Sequence, residues 1–309
     1  MTYKRGIVWF RQDLRLHDNE ALRDAMDAVD EIIPVYVFDE RVFRGETRFG
    51  FSKTARHRAR FILESVRDLR KSLRALGTDL IVRVGKPEEE IFEIARKAKS
   101  SWVFCNRERT EEEVEVQDVL EQNLWSIGQE LRYSRGKMLY YTADLPFPVT
   151  HCPDTFSQFR KETEKLVPVR EPLPKPTKLD EFTADIDMGE MPDPGALGFE
   201  ERETDPRAVI DFRGGETAGI DRLEEYFWKS GDPKTYYETR NQLFGPVYST
   251  KFSAWLAQGC LSPKRVYYEL QHFEEREGDN KSTYWIFFEL QWRDFFRLMY
   301  KKHGNLMFQ

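Results

Sequence analysis

Apolar positions along this chain follow two periods, and the change between them divides it. In the first part, short runs rich in β-branched and aromatic side chains, GIVWF at 6–10, IIPVYVF at 32–38, LIVRV at 80–84 and WVFCN at 102–106, alternate with segments of helical period. Residues 53–76 put Ile62, Val66, Leu69, Leu73 and Leu76 on one helical face and leave Arg58, Arg67, Arg70, Lys71 and Arg74 to water, with Gly77 as a C-cap. After Val84, GKPEEEI sets Pro87 in the first turn of another helix and glutamates at its positive end. A weaker run near GQELRYSRG adds a last strand. The spacing therefore predicts an α/β domain over residues 1–136, a doubly wound parallel sheet of about five strands.

From Lys137 to Gly215 the pattern weakens, with prolines in PLPKP and PDP and the acidic stretch DEFTADIDMGEMPD. This reads as a connector over 137–215, too long for an ordinary loop and so interrupted by short helices, one of them around TFSQFRKETEKL. From Glu216 onward the period is helical throughout, beginning with AGIDRLEEYFWKS, and a second, all-α domain is expected over 216–309.

Composition narrows the setting. With 309 residues, 33% charged and 40% hydrophobic, and with no apolar run of the roughly 18 residues that cross a bilayer, the chain reads as soluble, with no membrane partner. The start MTYKRGIVWF has no signal-peptide core, so the cytoplasm is expected. Cys105, Cys152 and Cys260 form no CxxC pair; they suggest buried, reduced thiols and no metal or disulfide framework. The net charge of -6 leaves room only for a local nucleic-acid patch.

Candidate chemistry lies at three places. The first strand is followed by WFRQDLRLHDNEAL, neither GxGxxG nor GxxxxGK[ST]. There Asp18 or Asn19 can cap a helix starting near Glu20, while Arg11, Asp13 and Arg15 read as a structural turn with ion pairs. In YSTKFSAWLAQGCLSPKR, Ser249, Thr250 and Ser253 crowd the start of a short helix around Lys251, Gly259 ends it, and Ser262 and Pro263 start the next. Those hydroxyls are either ordinary helix caps or part of an anion site suited to phosphate. In the closing helix Trp285, Glu289, Trp292, Arg293, Phe296 and Tyr300 share one face. An acid and a guanidinium there make either a buried pair one turn apart or a pocket for flat, hydrogen-bonding rings.

Three stretches, WFRQDLRLHDNEAL, ETRNQLFGPVYSTKFSAWLAQGCLSP and STYWIFFELQWRDFFRLMYKKHGN, closely resemble the cryptochrome/photolyase family, and within it the DASH-type cryptochromes, in order along the whole chain. The resemblance implies an N-terminal domain holding an antenna pigment and a helical domain binding FAD. It also implies a light-driven activity in which reduced FAD passes an electron to a cyclobutane pyrimidine dimer, with single-stranded DNA as partner. Matched to the family's motifs, Tyr236 lies near the flavin and the segment Ser249, Thr250, Lys251, Phe252 and Ser253 holds its phosphates. Arg240 belongs to the DNA face with Phe296. Glu289 hydrogen-bonds the lesion bases beside the flavin, Trp292 stacks on them, and Arg293 reaches the cofactor. Base flipping accounts for a pocket that joins aromatic faces to one acid.

The resemblance implies a reduced folate, methenyltetrahydrofolate, as antenna, for which Glu108 is the candidate acid; Glu111, Glu112 and Glu113 read as the first turn of the following helix. It also implies further helices after KKHGN, so the chain is expected to be an amino-terminal portion with an incomplete FAD domain. Phe288, Phe295 and Met299 should then lack partners, unless a complementing chain covers them; otherwise a monomer is expected. Three functions stay open: light-driven repair, a blue-light photoreceptor or regulatory DNA-binding flavoprotein, and a non-catalytic fragment.

Overall fold

Five strands, β1 (Arg5–Phe10), β2 (Glu31–Asp39), β3 (Ile81–Gly85), β4 (Trp102–Asn106) and β5 (Glu130–Ser134), pair in parallel in the order β3-β2-β1-β4-β5. The structure, a computed structural model, describes residues 3–200, 205–304 and 306. Helices α1 (Glu20–Ala28), α2 (Glu40–Phe43), α3 (Arg56–Leu76), α4 (Pro87–Ala98) and α5 (Glu111–Ser126) punctuate the sheet. Then come α6 (Phe156–Thr163), α7 (Glu216–Trp228), α8 (Tyr236–Thr239), α9 (Ser253–Gln258), α10 (Pro263–Glu277) and α11 (Lys281–His303). The doubly wound sheet expected from the apolar runs is thus observed, with its strand order reversing between β1 and β4. In such sheets the crevice beyond the carboxyl ends at the reversal is where ligands bind.

Alternation along β1 sends Ile7 and Trp9 to one face and Val8 and Phe10 to the other. The first pair packs with Ile91, Ile94, Leu120 and Leu124 of α4 and α5. The second joins a core that continues without a break through Ile62 and Leu69 into Trp255, Leu261, Leu290 and Phe295 of the later helices. Sheet and helical segment therefore share one apolar interior.

Several expectations change on folding. Arg70, placed on the wet face of α3, is only 9% exposed, because Asp79 takes Nε and Nη2 at 2.9 and 3.2 Å and the Gly189 carbonyl takes Nη1. In the loop after β1 the charged contacts are those of Asp18 with Lys264 at 2.6 Å and His17 with Glu216 at 2.5 Å, not a pairing among Arg11, Asp13 and Arg15. Arg15, 1% exposed, instead donates to the carbonyls of His17, Asp18, Gly136 and Gly259. Four neutral acceptors satisfy the buried guanidinium without burying a second charge. Phe295 and Met299, expected to lack partners, are each 5% exposed, since α6 lies under α11 and brings Phe156 and Phe159 within 5.7 and 5.5 Å of Phe295. Phe288 meets Phe156 edge-on at 5.0 Å. The three cysteines are buried and free. Among the described residues no helix is long and apolar enough to cross a membrane.

Candidate functional site

The segment before α9 is held by one residue of α7. Arg222, 4% exposed, donates to the carbonyls of Pro246, Ser249 and Thr250 at 2.8, 3.2 and 3.1 Å. Lys251 takes φ +56° and its ammonium lies 3.5 Å from the Tyr248 ring centroid. Helix α9 begins with Phe252 as N-cap and no side-chain cap, so the capping reading of the hydroxyls is not what forms. Among the described residues the hydroxyls of Ser249, Thr250 and Ser253 have no hydrogen-bond partner in the chain. A guanidinium that occupies the carbonyls while leaving these donors unspent suits an anionic ligand such as a diphosphate. Phe252 is different: it is 3% exposed and packs against Tyr226 and Phe227.

Helix α11 starts with a capping box between Asn280 and Thr283, and α8 is tied to it where Ser282 Oγ donates to Glu238 and accepts from the Tyr237 amide. That contact brings Tyr236 and Arg240 to the middle of α11. Arg240 lies over the rings of Tyr237 and Trp285 at 4.6 and 5.0 Å, and its Nε is 4.0 Å from Glu289 Oε1. Tyr236 is nearly buried, and burial first, then the Glu289 charge, pushes its hydroxyl up to about 12, so it is a neutral donor at physiological pH. Glu289 keeps 45% of its side chain exposed on an otherwise aromatic wall. Rings continue along the helix: Trp285 stacks on Phe288 at 4.3 Å, and Trp292 on Phe156 at 3.8 Å and 12° and on Phe296 at 5.4 Å. Phe296 itself is 55% exposed.

Glu289 and Arg293 do not pair with each other. Arg293 donates to the carbonyls of Lys137 and Leu256 at 2.9 and 3.3 Å and lies 3.6 Å from Asp294, away from the Glu289–Arg240 contact. Burial, reinforced by Arg297, pushes its guanidinium down to about 10. Asp294 is fully buried and accepts from the amides of Leu139 and Tyr140, so residues 293 and 294 together rivet α11 to the chain leaving β5.

Glu108, the candidate antenna acid, is 3% exposed and takes the ammonium of Lys137, itself 4% exposed. Arg297 stands 4.0 Å from its other oxygen. Burial alone would raise the Glu108 carboxyl, but Lys137, Arg11 and Arg297 outweigh it and keep the group ionised. The Glu108 carboxylate is thus ionised and shared with an internal ammonium in the chain without ligand. Glu111, Glu112 and Glu113 are the first turn of α5, as expected.

Sequence reading had not singled out Arg222, Lys137, Arg297 or Phe156. Arg222 sits in DRLEE and Arg297 in FFRLM, where local charge reads as a solvated helix face. Only the fold turns them inward.

The family model described as DNA photolyase matches residues 6–177. A cryptochrome DASH of Gloeobacter violaceus is 46% identical over 308 residues, covering 100% of this chain and 61% of that protein. A chloroplastic/mitochondrial cryptochrome DASH of Arabidopsis thaliana is 43% identical over 304 residues, covering 98% of this chain and 53% of its own length. The solved structure of a Synechocystis sp. PCC6803 cryptochrome superposes with a TM-score of 0.94 at 40% identity, covering 100% of this chain and 64% of that one. The chain thus spans between half and two thirds of the length of these relatives.

Proposed function

Because the chain belongs to the DNA photolyase family, on its DASH-type cryptochrome branch, we propose that it binds FAD beside α9 and α11 and acts with it in light-driven repair of pyrimidine dimers in single-stranded DNA. Reduced FAD, when bound, supplies the photoexcited electron that opens the cyclobutane ring. The unspent hydroxyls of Ser249, Thr250 and Ser253 with Lys251 would hold its phosphates, and Tyr236 and Arg293 would border its ring system. Arg222 acts as a positioning residue, because it sets the backbone those hydroxyls stand on. Glu289 accepts hydrogen bonds from the edges of the lesion bases, Trp292 and Phe296 offer them aromatic surface, and Arg240 meets the strand's negative charge.

The observation that carries this reading is the half-exposed Glu289 carboxylate on an aromatic wall, 4.0 Å from a guanidinium that does not close it off. An acid left open among rings favours a ligand that presents hydrogen-bond donors on a flat edge. A reduced folate antenna belongs to the same proposal, with Glu108 as its candidate acid, which would have to share its carboxylate with the Lys137 ammonium.

The test uses the chain loaded with FAD, reduced, and illuminated with blue light in the presence of a single-stranded oligothymidylate containing dimers; restored thymine absorbance reports repair. Glu289→Gln removes a charge-assisted acceptor of about 1.5–3 kcal/mol, a loss of roughly tenfold or more in repair rate with flavin retention unchanged. Repair by the variant at the wild-type rate would overturn the role of Glu289.

A second reading has an observation of its own: Trp292 already carries Phe156 at 3.8 Å and Phe296 at 5.4 Å. A base could stack there only on the indole surface they leave or by displacing one of them. That favours a blue-light sensor that binds DNA without turning over lesions. Light-dependent DNA binding with dimers left intact would establish the sensor over the repair enzyme.

A further inference from the structure

Residues 40–60, which run from α2 into the first turns of α3, carry seven lysines or arginines against two glutamates in a chain whose net charge is -6. The connection between the two helices is a hydrogen-bonded hairpin. The Lys53 amide donates to the Gly45 carbonyl at 2.9 Å and the Thr47 amide to the Phe51 carbonyl at 2.7 Å, and Glu46 bridges Ser52 in antiparallel pairing. A turn closes it where the Gly50 amide returns to the Thr47 carbonyl at 2.9 Å, with Gly50 at φ +77°. Lys53 anchors the returning leg through Glu112 at 2.5 Å. Around that turn Phe49 and Phe51 are 69% and 71% exposed. Bonded backbone on both sides of the two rings holds them outward, so each offers solvent a face that the protein does not use.

Three of the seven cations are spent: Arg41 on Asp39 and Glu88, Lys53 on Glu112, and Arg60 on Glu64 and Asp211. The other four, Arg44, Arg48, Arg56 and Arg58, are all exposed arginines, and among the described residues none pairs with a carboxylate. Arg44 donates to the Ala196 carbonyl, Arg58 to that of Lys53 and Arg56 to the His57 ring, while Arg48 lies over the Phe49 ring at 4.8 Å. Helix α3 then begins against its own dipole. It is 21 residues long, Ala55 at its N-cap makes no side-chain cap, and its first turn holds Arg56, His57 and Arg58 with no acid. The positive end of a helix favours Asp or Glu, so cations there are unfavourable until an anion joins them.

We propose that this hairpin and the first turn of α3 form a contact surface for single-stranded nucleic acid, with bases stacking on Phe49 and Phe51 and backbone phosphates meeting Arg44, Arg48, Arg56 and Arg58. Outward rings flanked by cations on both legs supply the two components of sequence-independent strand binding, aromatic faces and a positive track. Every open cation being an arginine, planar and bidentate toward phosphate, favours a strand over a lipid surface, which lysine serves equally well. None of these residues belongs to α8, α9 or α11. The surface therefore depends neither on flavin binding nor on lesion recognition, and it takes undamaged strands.

Fluorescence anisotropy of a labelled, undamaged oligothymidylate, titrated with the full chain free of flavin, measures the contact. Phe49→Ala/Phe51→Ala should weaken binding at least tenfold with an unchanged melting temperature, because both rings lie in solvent. Arg48→Gln/Arg56→Gln should flatten the slope of log affinity against log salt by roughly 1.4, since each lost phosphate contact removes about 0.7. Trp125→Ala, at an exposed ring on α5, should bind as the wild type does. Sedimentation with vesicles of phosphatidylserine and phosphatidylcholine is the second probe. The proposal is overturned if the wild type does not bind the strand, if either hairpin variant binds it as the wild type does, or if only Arg240→Gln on α8 weakens it. That last result would place the strand on the face of α8 and α11 and leave the repair reading standing. It is overturned equally if Phe49 and Phe51 are needed for vesicles and not for the strand, which makes a membrane surface the occupant. Hairpin-dependent binding without any reversal of dimers would support the surface and count against the repair reading alone.

Discussion

Replacing Gly259 with alanine tests how tightly α9 is wedged against the loop after β1. Gly259 has φ +68°, which costs an alanine about 1 kcal/mol by itself. A Cβ there would lie 2.2 Å from the Gln12 carbonyl oxygen, 2.6 Å from Asp13 Cα and 2.7 Å from the Gln12 carbonyl carbon. All three atoms are backbone and cannot swing aside as the tip of a side chain can, so the end of α9 and the loop must part. Parting removes the bond from Arg15 Nη1 to the Gly259 carbonyl at 2.8 Å and that from the Leu14 amide to Gln258 at 3.3 Å. A charge-assisted bond contributes about 1.5–3 kcal/mol and a neutral one about 0.5–1.5, so Gly259→Ala should lose about 3–5 kcal/mol in all. Gly198 is the control: its φ +83° and ψ 20° lie in the same left-handed region as Gly259, but a new Cβ there would meet only ordinary contact at 3.6 Å from Arg44 Cγ, so Gly198→Ala should cost only the conformational term, about 1 kcal/mol. Urea unfolding followed by circular dichroism, compared at constant slope, measures both. If the two variants lose the same roughly 1 kcal/mol, the contact relaxes freely and the wedge does not exist.

Other substitutions probe the remaining links. Arg222→Gln should lower FAD affinity about tenfold, near 1.4 kcal/mol, by releasing the carbonyls before α9; a fluorescence titration equal to wild type would remove Arg222 from the site. Lys137→Met leaves Glu108 buried without its ammonium and should cost about 3–5 kcal/mol, whereas Lys137→Met with Glu108→Gln should recover most of it; equal losses in the two unfolding curves would contradict the pairing. Glu216 accepts from His17 Nδ1 at 2.5 Å and from the amides of Leu16 and His17; burial would raise its carboxyl, but these partners hold it below the usual 4.5. Its contribution is therefore present above about pH 4.5 and disappears as pH falls through the lower folded value. Glu216→Gln should melt lower at neutral pH and converge with wild type in acid, and parallel melting curves across that range would show that the pair is not linked to folding.

The strands and long helices were legible because each follows a local rule that no tertiary contact overrides. Apolar runs such as IIPVYVF need burial on both faces, and Pro87, Ser262 and Asn19 start helices with chemistry contained within a few residues. The unbroken order of the family motifs pointed to the DASH-type branch. Those motifs single out Tyr236, Arg240 and Glu289 as candidates, and the fold brings the three near one another through the Ser282–Glu238 contact.

Pairing was not legible, because helical spacing says which residues share a face and not what faces them. Glu289 and Arg293 lie one turn apart, yet one meets Arg240 from α8 and the other the carbonyls of Lys137 and Leu256. Arg15 reads as a member of an ion-paired turn until the carbonyls of Gly136 and Gly259 take its guanidinium. Glu108 reads as an open acid until Lys137 folds onto it. By itself the sequence determined the elements, the parallel sheet and the family, since periodicity, caps and motif order are properties of neighbouring residues. Tertiary structure alone decided which charges are spent and which stay open, because an ion's energy depends on its solvent and counter-charge, and residues far apart in the chain supply both.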